Sequence, residues 1–188
     1  MNWHTLRQSR VAWGALSFSL LVSLANDNLF VILGVWLESF NLSVAAVGYS
    51  ASVIGVAELI GELMTASIAD RLGLRRAVYG GLFLAAIAYV ALPLTQASLP
   101  LALAGIFCLF LFFEFTIVTS ISLFTEVLPH ARATMMSALV AANGIGRIAG
   151  ALIGGLLWRS GGMVNISLFS AGISLLAVGC LWWGMRGK

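Results

Sequence analysis

The feature that most restricts this chain is a recurring one. Six apolar stretches of roughly 20 residues follow one another, each long enough to cross about 30 Å of hydrocarbon as a helix. Of the 188 residues, 61% are hydrophobic and only 9% charged, against about a quarter charged in an ordinary soluble domain. A soluble fold could not hide so much apolar surface, so lipid is the expected solvent. The expected fold class is all-α, a polytopic six-transmembrane-helix bundle forming one domain over residues 1–188.

The expected spans are approximately 11–37, 44–69, 77–94, 101–124, 134–158 and 163–185. Asn26-Asp27-Asn28 interrupts the first near its middle, a cluster whose backbone could unwind locally and line a cavity. Glu58 and Glu62 lie in the second span, Glu114 in the fourth and Arg147 in the glycine-rich fifth. Pro100, and Pro129 between Glu126 and Arg132, punctuate the connections. Cleavage of a signal peptide after Ser23-Leu24-Ala25 would strand Leu29–Leu37, which is too short to span, so one long first helix is the better reading.

Charge gives the orientation. With a cytoplasmic N-terminus the inner segments hold Arg7, Arg10, Arg71, Arg75, Arg76, Arg132, Arg186 and Lys188, whereas the outer ones hold only Arg159. Trp13, Trp182 and Trp183 fall near the inner interface and Trp36 and Trp158 near the outer one, where an aromatic belt is expected. The net charge of +3 is thus a matter of topology and forms no basic patch for nucleic acid. Cys108 and Cys180 lie inside apolar runs, where a free thiol behaves as a small hydrophobe.

Five charged residues belong to no loop: Asp27, Glu58, Glu62, Glu114 and Arg147. A charge at the bilayer centre costs about 2.5–3.5 kcal/mol on insertion scales, so each needs a partner, a watery cavity or a change of protonation. Glu58 and Glu62 are four apart and share a helical face. Arg147, the lone intramembrane cation, is expected to meet a carboxylate from another helix; an ion pair that only orders the bundle is the competing reading. With Asn26 and Asn143, these five are the candidate substrate or ion pathway. Thr116 and Thr119 are expected to bond to their own backbone or to a neighbouring helix. There are no paired histidines, metal-ligand spacing or nucleophile elbow, and His4 and His130 fall in cytoplasmic segments. Neither an enzyme nor a metal or other cofactor is expected.

Between the second and third spans stands Asp70-Arg71-Leu72-Gly73-Leu74-Arg75-Arg76. This segment resembles the signature loop of the major facilitator superfamily, with Ala66 at a position usually glycine and Leu74 where the first basic residue stands. The resemblance covers the whole chain as one six-helix half of the family's usual twelve. It implies that Asp70, Arg71, Gly73, Arg75 and Arg76 gate the cytoplasmic side and are not substrate ligands. In the fifth span Gly146, Gly150 and Gly154 recur every four residues, a spacing that first of all serves helix packing. Gly150-Ala151-Leu152-Ile153-Gly154-Gly155 looks like the family's antiporter motif, but Ala151 stands where that motif has proline, which favours the C-terminal half of the fold.

The function implied is secondary active transport of a small solute by alternating access, with protons as a candidate coupling ion. The expected location is a bacterial inner (plasma) membrane with both termini cytoplasmic. The partners implied are the lipid bilayer, a small-molecule substrate, and a second six-helix half or a second copy of the chain. The alternative is a non-transporting accessory or assembly protein.

Overall fold

The computed structural model describes residues 8–127 and 131–186, and the regular elements among them are helical. Among the described residues, five helical segments are long and apolar enough to cross a membrane: Arg10–Glu38, Val44–Leu72, Leu74–Ala97, Leu99–Glu126 and Arg132–Met185.

Helix α1 (Arg10–Phe30) starts at Ser9, whose hydroxyl accepts from the Ala12 N–H at 3.3 Å and satisfies one free donor of the first turn. The expected unwinding at Asn26-Asp27-Asn28 does not occur: α1 stays helical through all three. Asn28 directs its side chain to another helix instead of competing for its own backbone, which removes the cause of unwinding. The chain tightens one turn later, where the Ile32 N–H bonds the Leu29 carbonyl at 3.1 Å, and resumes as α2 (Leu33–Glu38).

Helix α3 (Val44–Met64) is capped by Ser43, which accepts from the Ala46 N–H at 3.2 Å. It widens into a π-helical turn over Thr65–Ala69. There the Thr65 hydroxyl lies 3.3 Å from the Phe115 carbonyl and 3.2 Å from the Thr119 hydroxyl. After α4 (Asp70–Leu72), Gly73 at φ 82° turns the chain into α5 (Leu74–Ala91), followed by a 3-10 segment, Leu92–Ala97, and α6 (Leu99–Val127).

Helix α7 (Arg132–Met185) is 54 residues long and would extend about 80 Å if straight. It is not straight. Helical geometry is lost at Gly161 (φ −168°, ψ 19°) and at Gly162 (φ 60°, ψ −145°), the second a left-handed conformation that favours glycine. The contacts on either side of that break run in opposite directions along α1. A Cβ at Gly146 would collide with the Leu20 carbonyl, at Gly150 with Leu24, and at Gly154 with Asn28, so residues 132–160 run parallel to α1. Beyond the break, Asn28 bonds Ser170, and Gly184 would meet Gly14, so residues 163–185 run antiparallel to it. The two arms of α7 thus clasp α1.

Packing divides into layers. One apolar cluster holds Trp36, Tyr89, Ile106, Phe110 and Ile166; the other holds Phe18, Val78, Phe124, Met135 and Leu181. On α1 the second cluster ends at Val22 and the first begins at Leu29, leaving Asn26, Asp27 and Asn28 in a polar layer between them. Outside the bundle large apolar side chains are bare, among them Val44 at 86% and Leu152 at 71% exposure, as lipid-facing positions should be.

Trp13, Trp182 and Trp183 are exposed, and the Arg10 and Arg186 guanidiniums lie 4.5 Å and 4.8 Å over the Trp183 and Trp182 rings. Trp36 departs from the belt expected of it. At 1% exposure it is packed in the core, its ring 5.9 Å from Phe40. Arg7, Lys188, His4, Pro129 and His130 lie outside the described residues.

Candidate functional site

The polar layer opens into a cavity of about 240 Å³ lined by Asn26, Asp27, Glu58, Asn143 and Arg147 together with Ser23 and three phenylalanines. Five of the seven pathway residues named from the sequence therefore meet in one space, brought there by α1, α3 and the first arm of α7.

Its centre is an ion pair. Arg147 donates through Nε to Asp27 Oδ1 at 3.2 Å, with the carboxylate side chain 15% and the guanidinium side chain 62% exposed. Glycine makes this reach possible. Gly150, one turn beyond Arg147, sits against the Leu24 carbonyl and 3.2 Å (from the position of a Cβ) from Asp27 Cβ, so the two backbones nearly touch.

Asn28 holds the other side of α1. Its amide donates to Ser170 Oγ at 2.9 Å and to the Ile166 carbonyl at 3.4 Å, while Ser170 donates to the Ala25 carbonyl at 2.8 Å. These buried bonds lock α1 to the second arm and so hold Asp27 toward the cavity. In the sequence Asn28 belongs to the polar cluster of the first span but carries no sign of its own role in the site. The Ser170 hydroxyl could have been suspected only from its spacing with Ser167 and Ser174 along one face.

Glu62 and Glu114 are not part of that lining. Glu62 is exposed and Glu114 half-buried, with Glu114 Cβ against Gly61, on the turn that joins Glu58 to Glu62. Thr116 donates to the Phe112 carbonyl of its own helix at 2.6 Å.

At the end of the bundle that holds Arg10 and Arg186, the α4–α5 turn borders a broad concavity of about 840 Å³. Asp70, Arg71, Gly73, Arg75 and Arg76 line it with Tyr79 and Glu126, and the Arg75 guanidinium lies 5.8 Å over the Tyr79 ring.

A sequence profile of the Major Facilitator Superfamily matches residues 15–187. The chain belongs to the major facilitator superfamily. It is 30% identical over 132 residues to an uncharacterised MFS-type transporter, YceJ, of Bacillus subtilis (strain 168). That match covers 70% of this chain and 34% of the relative, so the chain spans about a third of the relative's length. Membership explains the composition: this is a multi-pass membrane protein.

Proposed function

We propose that the chain forms one six-helix half of a secondary transporter that moves a small solute by alternating access, with its pathway through the Asp27–Arg147 cavity. The observation that carries this reading is an ion pair and a second acid, Glu58, gathered around open space midway along helices that are otherwise apolar. A bundle needing only mechanical order gains little from such groups, whose burial in lipid is costly; polar side chains around a cavity inside a membrane bundle suit a solute path.

The break at Gly161–Gly162 and the opposite directions of the two α7 arms along α1 support six crossings in place of five. An even number puts both chain ends on one side, and Arg10 stacked on Trp183 supports that. The basic Asp70–Arg76 turn lies at the same end, which the positive-inside bias assigns to the cytoplasm of a bacterial inner membrane. In this reading Asp70, Arg71, Gly73, Arg75 and Arg76 gate that side, and the C-terminal half of the superfamily fold is favoured.

Arg147 is 62% exposed along its side chain, so a second set of six helices, from a longer chain or a second copy, covers it and completes the pathway. At least one of Asp27, Glu58, Glu62 and Glu114 exchanges a proton during the cycle. A flux screen of the complete assembly in proteoliposomes, with and without an imposed proton gradient, tests the proposal. Asp27→Asn is expected to abolish flux while membrane insertion stays intact; wild-type flux with an unchanged pH profile in that variant would contradict it.

A further inference from the structure

A second cavity, of about 260 Å³, adjoins the first. Asn143 and Ile117 line both, and Ser19 of α1 takes the place of Ser23, one turn nearer the Arg10 end. The two spaces differ in character. Beyond Asn143 the wall is mainly apolar, built from Ile121, Phe124, Met136, Leu139 and Val140, with only the Ser19 and Ser120 hydroxyls besides. Met136 can adapt its shape to irregular apolar ligands.

The first cavity carries two carboxylates and one guanidinium. Arg147 is engaged with Asp27, so Glu58 is an acid for which the lining supplies no second cation. Phe30 and Phe113 line the same space, each in a T-shaped contact with Phe110, which lies behind them at 1% exposure, with ring centroids 6.3 Å and 6.4 Å apart. Aromatic faces next to a carboxylate attract an organic cation. The Ser23 hydroxyl, 2% exposed, also lines this space and has no hydrogen-bond partner among the described residues. A buried polar atom left in this condition is costly unless something else bonds it.

From these two adjacent spaces we infer that the ligand is an amphiphilic organic cation. Its ammonium-type head lies at Glu58 and the phenylalanines, and its apolar body passes Asn143 into the second cavity. The inference rests on the transport reading above and names its substrate class. A compact polar solute would leave the second cavity unfilled, and an organic anion would meet the surplus charge of Glu58.

Binding of alkyltrimethylammonium ions by the intact protein in lipid nanodiscs tests it, with partition into empty nanodiscs subtracted. Affinity is expected to rise from tetramethylammonium to octyltrimethylammonium by about fourfold for each methylene that becomes buried, and octanoate should not compete. Val140 is 69% exposed, so Val140→Trp should fold; it is expected to flatten the dependence on chain length while sparing tetramethylammonium. Glu58→Gln should weaken the whole series. Equal binding of octanoate, or a chain-length dependence that Val140→Trp leaves unchanged, would overturn the inference. Flux of some other solute that Asp27→Asn abolishes, with no binding of these cations, would overturn the substrate class alone and leave the transport reading standing.

Discussion

Asp27 and Asn28 are neighbours in sequence but point about 100° apart around α1. Asp27 meets Arg147 of the first α7 arm, whereas Asn28 meets Ser170 of the second. Each therefore predicts a different defect. Arg147→Ala leaves Asp27 without its cation, and is expected to abolish flux with little change in the amount of folded protein recovered from the membrane. Asn28→Ala removes two buried bonds and should cost about 1 kcal/mol of stability, seen as a lower melting temperature in detergent. Charge in an apolar span was legible without a structure, because its cost in lipid singles it out. Phe30, Phe110 and Phe113 were not, since a phenylalanine lining a cavity and one facing lipid look the same in sequence.

Among the elements, the first arm of α7 shows most clearly how a pattern becomes a contact. Its glycines at 146, 150 and 154 form one row, and all three lie where a Cβ would strike α1. Gly155, next in the chain, has nothing within 4 Å of a Cβ position. Gly154→Ala is therefore expected to destabilise the bundle by about 1–3 kcal/mol through overpacking, while Gly155→Ala should be neutral or mildly stabilising, by up to about 1 kcal/mol. Parallel thermal melts check both, and equal behaviour of the pair would deny the packing role. The spacing of four made this row legible. The course of α1 was less so: three polar residues in a span suggested unwinding, and only the partner of Asn28 on a helix about 140 positions away explains why the helix persists.

For the molecule as a whole, hydropathy gave the helices and the basic residues gave an orientation, but the arrangement of helices about α1 depends on contacts that no local pattern carries. If the proposed topology holds, single cysteines at Ser43 and Gln96 should react with an impermeant reagent added to intact cells, and one at Leu72 only after the inner face is exposed. If a second set of six helices covers Arg147, crosslinking from a cysteine at Ala151, exposed one turn beyond Arg147 on the same face, should capture protein as well as lipid. Alternating access requires the cavity around Asn143 to open to each side of the membrane in turn. The most direct measurement is labelling of Asn143→Cys, with Cys108 and Cys180 replaced by serine, by an impermeant maleimide in right-side-out and inside-out vesicles of the intact protein. Reaction is expected from both sides, with Asp70→Ala shifting the ratio toward the cytoplasmic side. Reaction from neither side, or from one side only in wild type and Asp70→Ala alike, would contradict it.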